Sequence, residues 1–375
     1  MTASVTEGHK RTFRTLDGLR GIAALAVVFR HIPENAVGRW TPESYLAVDL
    51  FFILSGFVLG YAYEERLRSG MSVPAFFAAR LIRLYPLYIA ASLITLLLVF
   101  IPAMPGHYRP PDRSLRTIVL AILFVPAIDP AHNIGLFPLV GPAWSLCFEL
   151  AANFVFAVIA TRLDTRMLSI IIFAGAGLLI LTASAFGSID VGYAIANAWG
   201  GFGRVGFAFF AGIAVWRVWR SDALPWLRLP GWAAAVLVVL IFAVEPVPHE
   251  AAWNVAVVLL VMPPLVLASA RGDPGRWLAH PFVILGGASY GIYILQNPID
   301  QWFETLVPWK YVESYAGTGT AGALVIAAII VAIALLFDRY YDIPVRRALT
   351  RALRDDRTVA TAAGPVAVRR GVSGR

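Results

Sequence analysis

Charge is scarce in this chain: only 14% of its 375 residues are Asp, Glu, Lys or Arg, where a soluble domain carries about a quarter. That scarcity, with a mean hydropathy of +0.71, excludes an ordinary water-soluble fold and makes lipid the main solvent. Cysteine is almost absent. Cys147 stands alone, which excludes an intramolecular disulfide and a thiolate-held metal cluster. No His, Asp and Glu stand together at ligand spacing either, so no metal is expected. Acidic residues are the rarer sign, 23 against 31 basic, for a formal net charge of +8. Such an excess can signal a nucleic-acid partner. Here the basic residues form short clusters between apolar runs, the pattern of membrane-orientation signals, and no nucleic acid is expected. Residues 1–15 are polar, and the apolar run after them lacks a small-residue cleavage site, so no cleavable signal peptide is expected.

What the chain has in plenty is apolar length. Hydrophobic residues make up 59% of it, and runs long enough to cross a bilayer lie near 16–33, 46–63, 82–101, 143–160, 167–186, 195–216, 231–247, 251–270, 282–303 and 320–337. The expected fold is all-α, a polytopic transmembrane helix bundle of about ten spans. A further run, Thr117–Ile128, is short for a span of about 20 residues and is expected as a re-entrant or interfacial segment. Charge supports that count. With the N-terminus inside, the inner loops carry Arg66, Arg68, Arg80 and Arg83, then Arg162 and Arg166, Arg217, Arg220 and Arg228, and Arg271 and Arg276. The loops around 187–194, 246–250 and 304–319 hold one lysine and no arginine. Three parts are expected: a cytoplasmic tail over 1–15, a membrane domain over 16–345, and a basic cytoplasmic tail over 346–375. The cost is Arg109, Arg113 and Arg116 outside, in a Pro-rich segment expected to cover the outer mouth.

Ionisable groups at membrane depth are costly and persist mainly where they face a cavity or a substrate. Asp17, Arg20 and His31 share the first apolar run. Arg20 and His31 are eleven positions apart, about 16 Å along a helix, so a cation near one face is joined by a rigid rod to a titratable imidazole. A neutral imidazole can take the proton of an attacking alcohol. Residue chemistry alone leaves His31 open between that role and a histidine marking the end of a span beside Arg30. His9, His107, His132, His249 and His280 are assigned to tails or loops.

Six ordered patterns recur: Leu16-Asp17-Gly-Leu-Arg20-Gly…His31, Val48-Asp-Leu-Phe-Phe-Ile-Leu-Ser55-Gly56, Arg80-Leu-Ile-Arg83-Leu-Tyr-Pro86, Trp144-Ser-Leu-Cys-Phe-Glu149, Gly286-Gly-Ala-Ser289-Tyr290-Gly-Ile-Tyr293, and Tyr341-Asp342-Ile-Pro344-Val-Arg346. In this order, over roughly residues 12–347, the chain closely resembles the membrane acyltransferase-3 family. Its bacterial members O-acylate surface polysaccharides, lipopolysaccharide, Nod factors or macrolides. The chain departs from that pattern at Gln296, where the family often has a histidine, and at Asp342, which replaces a glutamate. With so short a tail, the fused periplasmic domain of longer members is not expected here.

The resemblance implies about ten spans, an acyl-CoA donor and a catalytic histidine, here His31. It also singles out Arg80 and Arg83, one helical turn apart, as donor-binding together with Arg20, since forked guanidinium donors suit phosphate. Without it, positive-inside placement explains most of the arginines, and Arg66, Arg68 and the tail arginines are read as only that. Asp17 is expected to orient Arg20 by an ion pair or to cap the first helix. In the orientation above, the Trp144–Glu149 motif opens the fourth full span near the outer face. Glu149 then comes to a depth similar to that of His31 and is expected to hold its tautomer; the alternative is a packing role beside Arg20. Ser145 is read as a helix cap and Cys147 as a small core residue. Trp144 and Tyr290 are supporting residues. Tyr290 and Tyr293, near Gln296 and Asn297, line the acceptor path or belong to an interfacial aromatic belt. Arg204, inside a Gly-rich span, either lines the cavity or snorkels to an interface.

The expected function is O-acyl transfer, with acetyl as the default acyl group, from cytoplasmic acetyl-CoA to a hydroxyl of a glycan or lipid-linked saccharide at the bacterial inner membrane. The rival is a transporter or flippase of a polar or lipid-linked substrate. Such proteins commonly show internal repeats with broken helices, and the halves of this chain show no convincing repeat.

Overall fold

The computed structural model describes residues 12–32, 36–100, 114–128, 135–245, 249–306 and 320–362. The Pro-rich segment with Arg109 and Arg113, like His9, His107 and His132, falls outside them. The described residues build helices α1 (Arg14–His31), α2 (Ala36–Trp40), α3 (Ala47–Arg68), α4 (Val73–Leu97), α5 (Leu115–Ile122), α6 (Ala143–Ile159), α7 (Thr165–Phe186), α8 (Ala198–Arg220), α9 (Gly231–Phe242), α10 (Glu250–Ala256), α11 (Met262–Arg271), α12 (Gly275–Leu306), α13 (Thr320–Phe337) and α14 (Ile343–Ala362). His280 lies within α12 and not in a loop.

Local chemistry sets several of these ends. Ser72 accepts from Ala75 N at the start of α4, with Pro74 in the first turn, and Asp164 accepts from Met167 N at the start of α7. Two π-turns, Val257–Val261 and Asp338–Asp342, each stand just before proline, Pro263-Pro264 and Pro344. Proline has no N–H and its ring crowds the carbonyl four residues back, so the helix widens by one residue instead of breaking.

Among the described residues, seven helices are long and apolar enough to cross a membrane. The other three expected spans are α6, with 17 residues, α9, with 12, and α1, whose 18 residues include Arg14, Asp17, Arg20 and Arg30. Helix α5 has 8 residues, about 12 Å, far short of a crossing. Its last carbonyls, of Ala121 and Ile122, accept from Tyr88 and Tyr85 of α4.

Hydrogen bonds tie the turns into two opposite faces. On one, Arg68 and Arg217 both donate to Leu163 O, Arg271 to Ala223 O, and Thr15 to Gly272 O. This basic face holds the start of α1 and the turns after α3, α6, α8 and α11. On the other, Arg30 joins Pro42 O and Asp190, Glu43 N reaches Phe242 O, and Asn254 reaches Glu43. Among the described residues, α1, α3, α8, α9 and the α10–α11 stretch therefore pass between the two faces.

Helices α3 and α8 form the centre: 72% of the apolar stretch in each is buried, against 28% in α7 and 22% in the α13 stretch, whose apolar outer sides face lipid. A Cβ on Gly56 would collide with Phe209 O, so α3 and α8 meet backbone to backbone. Gly18 and Gly21 admit Phe282 and Leu285 in the same way. That order shows α1 and α12 running parallel, and it brings His31 level with residues near 295 of α12.

The centre also contains a fully buried ion pair. Arg204 donates to both oxygens of Asp49, at 3.1 and 2.6 Å, and to the carbonyls of Val191 and Tyr45. Arg204 thus neither lines a cavity nor snorkels; it ties α8 to α3 and to the loop before it. Removing one partner of a buried pair typically costs about 3–5 kcal/mol. Arg204→Met should lower the thermal unfolding temperature of the purified protein sharply, and Asp49→Leu in the same chain should recover most of the loss. A double variant no more stable than the single one would show that Arg204 acts through its backbone acceptors instead.

Candidate active site

A cavity of about 740 Å³ opens on the basic face among α1, α3, α4, α6, α12 and α14, a size typical of ligand sites. Its α3 wall extends from Arg66 at the mouth to Val48 at the floor, about 27 Å of helix. Five arginines line it: Arg20, Arg66, Arg80, Arg83 and Arg346.

Each helix delivers its cation for a local reason. On α4, Arg80 and Arg83 share a face one turn apart. Pro86 follows, and α4 is held to its neighbours around it: Tyr290 of α12 donates to Leu84 O and Tyr341 to Pro86 O. On α1, Arg20 pairs with Asp17 at 2.6 Å. Gly286 of α12 lets Asp17 approach closely, since a Cβ there would strike Asp17. On α6, Glu149 accepts from Arg80 at 2.9 Å and from Ser55 at 2.6 Å. Asn153, one turn further, reaches Arg80 Nε at 3.1 Å with its amide, which satisfies both groups when the amide oxygen is the atom turned to Arg80. The π-turn brings the buried Asp342 to 2.8 Å from Arg346 and 3.7 Å from Arg83, so the shorter carboxylate does reach the arginines. Two buried guanidinium nitrogens, Arg20 Nε and Arg83 Nη1, have no hydrogen-bond acceptor.

At the floor, Ser145 and Tyr293 hydroxyls meet at 2.8 Å, and the Tyr293 ring packs edge-on to Phe51. Ser145 also donates to Pro142 O. It therefore does not cap α6, whose N-terminus has no side-chain cap.

The structure brings Arg20, Arg80, Arg83, Glu149 and Tyr290 to one cavity, with Asp17 behind Arg20. His31 and Trp144 are not among its lining residues. Trp144 lies under the Arg204 guanidinium, 5.5 Å away. The expected pairing of Glu149 with His31 does not form: Glu149 is six residues into α6 and engaged by Arg80 and Ser55, whereas His31 is the last residue of α1 and exposed. The His31 contact is Nδ1 to Val27 O, at 2.8 Å. A carbonyl can only accept, so Nδ1 carries the proton, and in the neutral ring Nε2 keeps its lone pair. The backbone supplies the tautomer control expected of a carboxylate. Arg66 and Arg346, read from the sequence as orientation signals, are wall residues, and Ser55, read as a packing residue, binds Glu149. The signal for Arg346 is its spacing of four from Asp342.

Charge gives a test of the wall. Glu149→Gln removes the anion that neutralises Arg80, and Arg80→Gln removes the cation. Both should lower thermal stability, but they should shift pyrophosphate affinity in opposite directions, by roughly tenfold each, Glu149→Gln tightening and Arg80→Gln weakening it. Calorimetric titration in detergent measures both. A shift of the same sign would show that Arg80 does not face the anion.

Comparison with known proteins follows this geometry. An acyltransferase domain family model (Acyl_transf_3) matches residues 13–338. Protein 2 in picA locus of Rhizobium radiobacter is 41% identical over 192 residues, 48% of this chain and 100% of that protein. Acyltransferase MdmB of Streptomyces mycarofaciens is 31% identical over 155 residues, 38% of each chain. O-acetyltransferase OatA of Staphylococcus aureus (strain NCTC 8325 / PS 47) is 28% identical over 162 residues, 40% of this chain and 25% of OatA. The matches thus span the whole of the first relative and well under half of the other two. No solved structure is significantly similar to the chain. The family match runs through the cavity walls from Arg20 to Tyr293, and the chain belongs to the acyltransferase-3 family, as a membrane acyltransferase built from an all-α polytopic bundle.

Proposed function

We propose that the protein is an inner-membrane O-acyltransferase that takes an acyl group, acetyl by default, from acyl-CoA on the cytoplasmic side and passes it to a hydroxyl of a glycan or lipid-linked saccharide. The observation that carries this reading is the long cavity with five arginines in its walls and two guanidinium nitrogens lacking acceptors. A long, cation-lined cavity whose mouth lies on the basic face suits a phosphorylated donor with a long flexible arm. By the positive-inside rule that face, which holds the start of α1, is the cytoplasmic one. The names of MdmB and OatA, an acyltransferase and an O-acetyltransferase, support the reaction class.

In this reading the thioester enters towards the floor at Ser145 and Tyr293, and His31 serves the acceptor. The α1–α12 register sets Tyr293 within about a turn of the His31 level. His31 Nε2 takes the hydroxyl proton as the oxygen attacks the thioester carbonyl. The C–S bond breaks, and the CoA thiolate leaves and recovers the proton from the imidazolium. Arg20, Arg80 and Arg83 hold the donor below that level, with Asp17 and Glu149 fixing two of them. The Val27 carbonyl holds His31 in the tautomer that can act as a base.

His31→Gln keeps volume and hydrogen bonding but accepts no proton at neutral pH. It should lose about 10²–10⁴-fold in transfer from labelled acetyl-CoA while binding acetyl-CoA normally. Arg83→Ala should instead weaken donor binding about ten- to a hundredfold. A His31→Gln protein that turns over at the wild-type rate would discard this mechanism. Reporter fusions after Arg166 and Arg354 should both report cytoplasm; a periplasmic signal at either would reverse the orientation.

A further inference from the structure

We infer that the arginine-lined groove on α14 is a separate anion subsite, and that it takes the 3′-phosphomonoester at the nucleotide end of the donor. The inference rests on the acyl-CoA reading above and deepens it. A second, open pocket of about 380 Å³ is lined by Ile343, Arg346, Arg347, Thr350 and Arg351. Residues 346 and 350, and 347 and 351, form two adjacent rows of a helix, so three guanidinium groups surround one patch. The Thr350 hydroxyl donates back to Arg346 O. Arg346 and Thr350 also line the main cavity, so the groove continues its mouth.

Charge accounting makes this extension necessary. The five cavity arginines are answered by Glu149 in the wall and by Asp17, Asp338 and Asp342 behind it. That leaves a single net positive charge. A CoA donor carries a diphosphate and a phosphomonoester, the latter alone contributing about −1.5 to −2. Arg347 and Arg351 are exposed, and among the residues whose side chains are described no carboxylate forms an ion pair with either. They supply the missing positive charge.

Geometry points the same way. With the thioester at the floor, the nucleotide phosphate is the part of the donor farthest from it and belongs at the mouth, where Thr350 and Leu353 stand. The deeper Arg20, Arg80 and Arg83 then meet the diphosphate and the arm.

The test pairs two ligands with two proteins. Purified full-length protein in detergent is titrated calorimetrically with acetyl-CoA and with its 3′-dephospho analogue, as wild type and as Arg347→Ala/Arg351→Ala. Wild type should prefer acetyl-CoA by about tenfold or more. The double variant should lose that preference by weakening for acetyl-CoA alone, with its affinity for the dephospho analogue unchanged. Arg347→Lys/Arg351→Lys, which keeps the charge, should restore part of the preference. A double variant that keeps the full preference, or one that weakens for both ligands equally, overturns the subsite. So does a variant with unchanged donor binding that no longer binds phosphatidylglycerol vesicles, which would give the groove to lipid headgroups. Wild type that binds neither donor overturns the acyl-CoA reading itself, a result separable from all of these.

Discussion

A guanidinium cannot be left bare inside a membrane bundle, and the architecture of this protein follows from how its arginines are answered. The cost of desolvating a charge is several kcal/mol and is recovered only by a well-placed counterion or by a ligand. Two solutions occur side by side. Arg204 and Asp49 are both wholly enclosed, and Arg204 spends its donors on that carboxylate and two carbonyls. Arg80 and Glu149 keep 13% and 14% of their side chains open to the cavity. The first pair is complete and structural. The second remains accessible, so a ligand can compete for the same donors.

That difference separates scaffold from site. The Asp49–Arg204 tie fixes α3 against α8, and the glycine contacts between these helices allow it by bringing the backbones together. With α3 fixed, Ser55 is held where it can donate to Glu149, and Glu149 in turn holds Arg80. The wall is thus a chain of pairwise constraints anchored in the centre of the bundle. Asp342 closes the far side by reaching two arginines from a π-turn that Pro344 imposes.

Much of this was legible in the sequence, because lipid leaves a chain few choices. Each of the ten apolar runs holds helix among the described residues, seven of them in helices long and apolar enough to cross a membrane, and the run Thr117–Ile128 opens in a helix too short to cross. Arg80 and Arg83 announced a shared face by their spacing. What could not be read was side-chain depth. Glu149 and His31 were matched from their order along oppositely directed spans, which locates a residue only to within a turn or two. Helix α6 starts after a loop held by Asn297 at Gly141 N, and that loop decides how deep Glu149 lies. Arg66 and Arg346 were hidden by the orientation rule, which accounts for a cation at a helix end whether or not it also faces a cavity. The Asp49–Arg204 pair was hidden for another reason: its partners are 155 residues apart, and no local pattern joins them.

The floor of the cavity is where the two halves of the proposed reaction must meet. A thioester held in a water-filled channel would hydrolyse, so a transferase gains by keeping water from the acyl carbonyl until the acceptor arrives. Ser145 donates to Pro142 O and accepts from the Tyr293 hydroxyl, and Phe51 packs on the Tyr293 ring. These groups line the floor with satisfied hydroxyls and an aromatic edge. His31, within about a turn of the Tyr293 level and exposed, lies outside the cavity lining. In the proposed reaction, this puts the donor anchor Arg20 and the base His31 on one helix but not in one cavity. Helix α1 carries Arg20 in the cavity wall and His31 at its exposed end, so in the proposed reaction the thioester carbonyl has to reach beyond the floor to the level of His31, where the imidazole is open to an alcohol.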